Sequence, residues 1–574
     1  MAVGNEYVRI PSPALSGSGS TGIISGSFTN HPTTPAWYYK KKYLTSTRIA
    51  LTAAKYLFTI INCNMKEKRI KKKTILIQIA FCTILFISFV VLNSMVWIKR
   101  NFPSATSREI FFQIFSPMKG VGKAILFNYI VHCIVLPLLY TCIFVVIGFN
   151  VFKVTIKLEL FTRFKKKDVQ LYPLKAINAI SLIISLFCLS SAAVFAQKNF
   201  GIIDFLAYSF KTSTFYEDNY IHPDSITYKF PEKKRNLIIL FIESMETSFT
   251  STREGGILQE NCIPNLYELA KKEINFSGSD DIGGGLQING ASWTVGAIIA
   301  HFMAFPLIIP PGKFPYDVDK GFFPNAKGLL EILAEHGYHN YFLSGTDTEF
   351  GGRKDFFTRH GNTTILDYNY YKSKGALPPD YYVWWGFEDR KLYAFAKQEL
   401  LEISSHDEPF CFIIFTADTH HDGGYLDEET PQLHSDKYYD VLLSADRRAM
   451  DFLTWVKTQE FYSNTTVIVL GDHLYMASNF FPDQNLLKER RIYNCYLNTV
   501  KKPIKSKNRL FSAVDTMPTI LDAIGVEYNA PGIGLGRSLF KDTPTLIETL
   551  GFAAFDQEIQ KKSRLYTYFT ARNY

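Results

Sequence analysis

The sequence predicts an α/β fold, a central sheet flanked by helices, preceded by an all-α transmembrane region. Three observations carry this expectation. Long apolar runs are confined to the part before about residue 200. After about residue 235, short continuous apolar runs alternate with helical stretches, the pattern of an α/β sheet. Acids and histidines follow those runs directly, and open α/β sheets gather functional groups beyond the carboxyl ends of their strands.

The apolar runs 75–98, 124–150 and 176–196 are each long enough to span a hydrocarbon core of about 30 Å at about 1.5 Å per residue. A fourth run, 43–61, is interrupted by Arg48 and Lys55 and reads as an interfacial amphipathic helix within a membrane region covering 43–200. Residues 1–42 read as a disordered cytoplasmic tail. Their Gly-, Ser-, Thr- and Pro-rich part lacks the charged-then-apolar order of a cleavable signal peptide. Basic blocks at 66–73 and 163–167 flank the first and second spans. Positive-inside bias puts both in the cytoplasm, so three spans leave everything after about residue 197 outside. The chain is thus expected to be a multi-pass cell-membrane (inner-membrane) protein with a periplasmic or extracellular catalytic domain. The expected divisions are a linker at 201–234, a catalytic domain at 235–545 and a C-terminal extension at 546–574.

Composition excludes other classes. The 574 residues carry a formal net charge of +9, but the basic residues cluster beside the apolar runs, and no zinc-finger, RNP or helix-turn-helix pattern occurs. Topology explains the charge, and no nucleic-acid partner is expected. Of eight cysteines only Cys262, Cys411 and Cys495 lie in the later part, without a CxxC pair, so a disulfide scaffold is excluded.

In the later part, Asn236–Ile242 is a continuous apolar run, as expected for a strand covered on both faces. A helix at 328–336 leads to a strand at 341–343, and 411–416 and 465–470 repeat the pattern. Polar residues sit at the strand ends: Glu243, then Asp347, then Asp418 and His420, then Asp472 and His473. Glu243, Asp472 and His473 suit a divalent metal, with manganese, magnesium and zinc all compatible with two carboxylates and an imidazole. Each acid alone is more often a helix cap than a ligand. Gly471-Asp-His473 is more specific, because glycine lets the backbone turn and expose adjacent ligands. Thr294, in Gly290-Ala-Ser-Trp-Thr-Val-Gly296, precedes an apolar helical stretch and would sit near a helix N-terminus, where a phosphate is favoured. A metal on its hydroxyl would make it a nucleophile; the plainer reading is an N-cap threonine. His301 on the same helix reads as packing.

These residues carry a resemblance. Asn236–Ile242 with Glu243-Ser, Ile263-Pro-Asn-Leu266, the Thr294 segment and Gly471-Asp-His473 stand in the order of the alkaline phosphatase–sulfatase superfamily. Within it the chain resembles the periplasmic phosphoglycerol transferase I family, which decorates osmoregulated glucans, and more distantly the lipoteichoic acid synthases. Further matching pieces are Phe322-Phe-Pro-Asn325, Phe350-Gly-Gly, His360-Gly, Trp385-Gly-Phe-x-Asp389, Asp418-Thr-His-His421 and Ile533-Gly-Leu-Gly-Arg-Ser538. The resemblance implies a sulfatase-like central sheet, with Glu243, Thr294, Asp472 and His473 as metal ligands and manganese as the expected metal. It also implies Thr294 as nucleophile, His420 as catalytic histidine, and Arg353 and Asp347 as substrate contacts. Trp385 and His421 would shape the pocket or touch substrate. Gly351 stands where the distant synthases have a tryptophan, and Ala304–Phe305 interrupts a segment that resembles Cys-Gly in nearer relatives. Sulfatases need a modified cysteine or serine in C-x-P-x-R, and Cys262-Ile-Pro-Asn-Leu266 lacks the arginine. The implied reaction moves glycerol phosphate from a phosphatidylglycerol-type membrane lipid to a glycan through a phospho-threonine. The alternatives are a phosphoethanolamine transferase, a metal-dependent phosphodiesterase and a degenerate, non-enzymatic scaffold.

Overall fold

A computed structural model describes residues 72–103, 105–115, 123–148, 174–308, 316–317, 321–421 and 423–570. The expectations for the tail at 1–42, the helix at 43–61 and the basic block at 163–167 lie outside the described residues.

Among the described residues, three helices are long and apolar enough to cross a membrane: Leu76–Asn101, Ile125–Phe144 and Ile177–Phe200. The second passes through a π-helical turn, Ile130–Val135, just ahead of Pro137, whose missing N–H removes one rung of the ordinary ladder. The first and second spans are joined by side-chain hydrogen bonds. Trp97 Nε1 donates to Asn128 Oδ1 at 2.7 Å, and the hydroxyls of Ser94 and Tyr129 lie 3.1 Å apart.

The seven-stranded sheet contains β1 (Asn236–Ile242), β2 (Gly284–Gly285), β3 (His339–Ser344), β4 (Thr364–Leu366), β5 (Phe410–Phe415), β6 (Thr465–Gly471) and β7 (Ile492–Leu497), in spatial order β2-β7-β6-β1-β5-β3-β4. From β6 to β4 the strands are parallel, while β7 runs antiparallel to β6 and to β2. Alternation along β1 sends its side chains to two cores. Leu237, Ile239 and Phe241 join a cluster with Ile298, Ile299 and Phe302 of the helix Thr294–Met303. Ile238, Leu240 and Ile242 join another with Val441, Leu442 and Phe452 of the helix Lys437–Thr458. Each such side chain contributes about 1.5–3 kcal/mol on burial, which is why the strand reads as unbroken apolar sequence.

Parallel strands put their carboxyl ends on one edge, and there lie Glu243, the loop after Ser344, Thr416 to His421, and Asp472. The stretch 201–234 holds the helices Ile202–Phe210 and Phe215–Asn219 and a two-residue strand paired with Glu527–Tyr528. The stretch after 545 forms the helices Leu546–Leu550, Phe552–Glu558 and Arg564–Thr570, and Phe555, Tyr566 and Phe569 enter the first of the two cores.

Candidate metal centre

Strand β1 delivers Glu243 to the sheet edge, and the chain then turns through Ser244, a non-glycine residue at φ 54°. A left-handed serine is a strained conformation that surrounding contacts must hold in place. Its backbone N–H donates to Asp472 Oδ1 at 2.8 Å and its hydroxyl donates to Glu243 Oε1 at 2.7 Å. Ser244 thereby fixes both carboxylates. The Glu243 main chain is held in turn by Thr416 Oγ1, which accepts from its N–H at 3.0 Å, and by Thr419 Oγ1, which donates to its carbonyl at 2.6 Å.

On β6 the requirement for Gly471 is closeness rather than the turn expected from sequence. A Cβ there would lie 1.9 Å from the Met245 carbonyl oxygen. Glycine lets the two chains approach until Asp472 and His473 meet Glu243.

Among the described residues, Glu243, Asp472 and His473 are all buried and offer donor atoms within 4.8 Å of one another. His473 Nε2 lies 3.4 Å from Glu243 Oε1 and 3.3 Å from Asp472 Oδ2. Its Nδ1 is 2.9 Å from the Leu474 carbonyl, which can only accept. That bond assigns a proton to Nδ1 and turns Nε2 toward the carboxylates. Burial lowers the imidazole, but Asp472 and Glu243 more than offset it and leave it raised, and a metal would take the Nε2 lone pair in place of that second proton. Asp472 Oδ2 is buried without a hydrogen-bond partner. Burial, then the neighbouring Glu243, pushes the Asp472 carboxyl up to about 7. Burial also pushes Glu243 upward, but the imidazoles of His473 and His420 more than offset it and leave it lowered. Two buried carboxylates, one with an orphan oxygen, beside an imidazole whose Nε2 faces them fit a divalent cation, which would satisfy that oxygen and neutralise the pair.

Thr294 is the first residue of its helix, and Trp293, at φ −147°, is the N-cap. The Thr294 hydroxyl makes no capping bond. It donates to Glu243 Oε2 at 3.3 Å, which removes the N-cap reading and places the hydroxyl at the carboxylate cluster. His301, on the same helix, bonds Thr516 Oγ1 through Nδ1 at 2.9 Å and sits edge-on to Phe241. Burial pushes it down to about 3, so it stays neutral.

Arg353 is buried and donates to the main-chain oxygens of Asp347 (2.9 Å) and Phe350 (3.3 Å). Burial lowers it to about 10, against the pull of Asp347, Asp367 and Glu243. Carbonyls orient the guanidinium without cancelling its charge. The Asp347 carboxylate accepts from the Glu349 N–H at 3.0 Å, closing its own turn. Trp385 meets the His420 ring edge-on at 5.0 Å and stacks on Phe350 at 6.1 Å, and its buried Nε1 has no partner. His420 and His421 rings are 4.7 Å apart. His420 is lowered by burial, with Glu243 opposing, and its Nδ1 bonds the His421 carbonyl. Asp418 turns instead to Asp389, whose N–H it accepts at 3.1 Å.

Residues 312–526 match the Sulfatase family model. That stretch is similar to a sulfatase domain. Over 326 residues the chain is 28% identical to phosphoglycerol transferase I of Xanthomonas campestris pv. campestris (strain B100), covering 54% of this chain and 44% of that one. The same-named protein of Escherichia fergusonii is 26% identical over 331 residues, 55% of this chain and 41% of that one. The chain thus spans less than half the length of these curated relatives. A solved alkaline phosphatase superfamily protein from Vibrio parahaemolyticus is 24% identical, with a TM-score of 0.44, over 59% of this chain and 77% of that one.

Some features around the candidate centre had no sequence signal. Ser244 stands in the matching Glu243-Ser piece, but nothing in the sequence marks its left-handed φ. The segment between the first two spans also reaches the site. Phe102 meets the His421 ring at 5.1 Å, and Phe112, fully buried, meets Trp293 at 5.7 Å. Glu109 is buried and pushed up to about 7 by that burial, with its own turn and His473 pulling the other way. The pattern Thr106-x-x-Glu109 is a legible helix start, but nothing in it points to a site 364 residues away in sequence, at His473.

Proposed function

We propose that this chain is a membrane-bound phosphoglycerol transferase that moves glycerol phosphate from a phosphatidylglycerol-type lipid to a glycan acceptor through a covalent phospho-threonine at Thr294. The observation that carries this reading is the Thr294 hydroxyl bonded to Glu243 Oε2 within the Glu243–Asp472–His473 cluster. A structural threonine would have no reason to point its hydroxyl at paired buried carboxylates. The name of the curated relatives supports the substrate class.

In the first step a bond forms between Thr294 Oγ1 and phosphorus, the bond from phosphorus to the diacylglycerol oxygen breaks, and the threonine proton passes by way of neutral His420 to that departing oxygen. Glu243 Oε2 orients the threonine hydroxyl and receives its hydrogen bond. Arg353, buried with its charge uncancelled, faces the phosphoryl oxygens. In the second step an acceptor hydroxyl attacks phosphorus and Thr294 Oγ1 departs. His420, kept neutral by burial, takes the acceptor proton, which returns to the threonine. Glu243, Asp472, His473 and Thr294 would hold the divalent metal, manganese in preference to magnesium or zinc, which when bound lowers the hydroxyl pKa and offsets phosphoryl charge. The spans keep the site beside its lipid donor, with the catalytic domain outside the cytoplasm.

Incubating the protein with phosphatidylglycerol and manganese, without acceptor, should add a glycerophosphate mass to the peptide containing Trp293 and Thr294. Turnover without any adduct on rapid quenching, together with inversion at a chiral phosphorothioate, would overturn the covalent mechanism.

A further inference from the structure

The loop before Thr294 is held from two directions, both leading back to the membrane region. Asp556, on the helix Phe552–Glu558, accepts from the Asn289 backbone N–H at 2.7 Å and from its side-chain amide at 2.6 Å. Asn289 adjoins Gly290, whose φ of 84° begins the turn into the nucleophile segment. Asp556 is itself held by Gln560, whose Nε2 donates to the Asp556 carbonyl at 2.6 Å. Gln560 Oε1 then accepts from Arg108 Nη2 at 3.2 Å. Arg108 lies on the juxtamembrane helix Ser107–Phe115 and is 2% exposed, so this bond is not a loose surface contact. Its guanidinium rests on the Phe205 ring at 5.3 Å, and Ser107 Oγ donates to the Phe200 carbonyl at 2.6 Å, tying the helix to the end of the third span. One turn along the same helix, Phe112 packs against Trp293, the residue before Thr294.

We propose that Asp556 is a positioning residue for the nucleophile loop, and that Arg108, through Gln560, ties that loop to the juxtamembrane helix. The seat of the sheet domain on the membrane region thereby sets the aim of the Thr294 hydroxyl. This rests on the reading of Thr294 as nucleophile. The hydroxyl reaches Glu243 Oε2 at 3.3 Å, long for an O–H···O bond, so a small shift of the loop breaks or tightens it. A misplacement of about 1 Å costs about a hundredfold in rate. The carboxylate is suited to the task because each of its two oxygens takes one Asn289 donor, while an amide would set its own NH2 donor against one of them.

The test uses the full chain in lipid nanodiscs with manganese and a fluorescent phosphatidylglycerol. Asp556→Asn should lower kcat about ten- to a hundredfold, with the donor KM and manganese affinity unchanged. Amide hydrogen exchange should accelerate across 288–296 but not across Thr465–Gly471 of β6. The exchanged pair Asn289→Asp with Asp556→Asn restores both hydrogen bonds with the charge moved across, and should recover kcat and protection. Arg108→Gln should shift both readouts in the same direction and be non-additive with Asp556→Asn. Wild-type kcat and exchange in Asp556→Asn would overturn the proposal. So would loss of protection throughout the domain with no recovery in the exchanged pair, which marks a merely structural role. Turnover in Thr294→Ala would sink the nucleophile reading instead, and exchange at 288–296 would still decide the positioning claim.

Discussion

Ser244 spans the two carboxylates of the centre, giving its N–H to Asp472 Oδ1 and its hydroxyl to Glu243 Oε1. A single left-handed residue thus fixes the spacing of groups from two different strands. It also leaves Asp472 Oδ2 and Glu243 Oε2 pointing at what remains, the orphan edge of the cluster and the Thr294 hydroxyl.

Thr294→Ala should lower turnover by about a thousandfold or more and abolish the adduct while manganese still binds at Glu243, Asp472 and His473. Thr294→Ser keeps a hydroxyl and should retain partial activity, its rotamer loosened by the missing methyl. Kinetics with calorimetric manganese titration checks both.

Metal removal should expose a pH signature. The Asp472 carboxyl sits at about 7 in the folded metal-free protein, above its ordinary 3.8. The folded state therefore binds the extra proton between those values, and that stabilisation is lost as pH rises through about 7. The Tm of chelated wild-type protein, taken relative to chelated Asp472→Asn, should fall from pH 5 to 7. Manganese should raise Tm more at pH 8 than at pH 6, because it must displace a proton at the lower pH. A wild-type Tm that climbs relative to Asp472→Asn over that range would contradict the assignment.

Gly471→Ala should abolish manganese binding and destabilise the sheet edge, since its Cβ would meet the Met245 carbonyl oxygen at 1.9 Å and force β6 away from β1. Differential scanning fluorimetry with and without metal reads both effects.

Arg353→Ala should raise the donor KM about tenfold or more, the scale of one charged hydrogen bond, with manganese affinity unchanged. Lysine at this position should recover little, because the guanidinium is oriented by two carbonyls in a planar fork. The comparison is made at fixed ionic strength with vesicles of phosphatidylglycerol.

Reporter fusions test orientation. A fusion after residue 210 should be active outside the cytoplasm and one after residue 168 inside. The reverse pattern would separate the site from an outer-leaflet donor.

Much of the sheet was legible because burial on both faces leaves continuous apolar runs in β1, β5 and the later part of β6, and their following acids mark the edge that holds the candidate site. Strand β7 was not legible. Its sequence Ile-Tyr-Asn-Cys-Tyr-Leu carries Asn494 in the middle, a residue depleted from strands. That asparagine is fully engaged, giving its amide to the Phe276 carbonyl and taking the Phe276 N–H. The C-terminal and juxtamembrane helices were illegible as parts of the site for a different reason. Asp556 and Arg108 are polar residues on short helices and Gln560 lies in the turn after one, and only tertiary contacts distinguish them from solvated ones.

The bond from Ser244 to Asp472 joins residues 228 apart in the chain. When a ribosome has finished β1, the strand that must lie against it has yet to be made. The donor atoms of the centre have no common location until β6 is inserted between β1 and β7, a parallel pairing that closes a long loop and is intrinsically slow. A nascent or partly threaded chain therefore has no place to capture a cation. The candidate centre is assembled only when synthesis of the domain is essentially over.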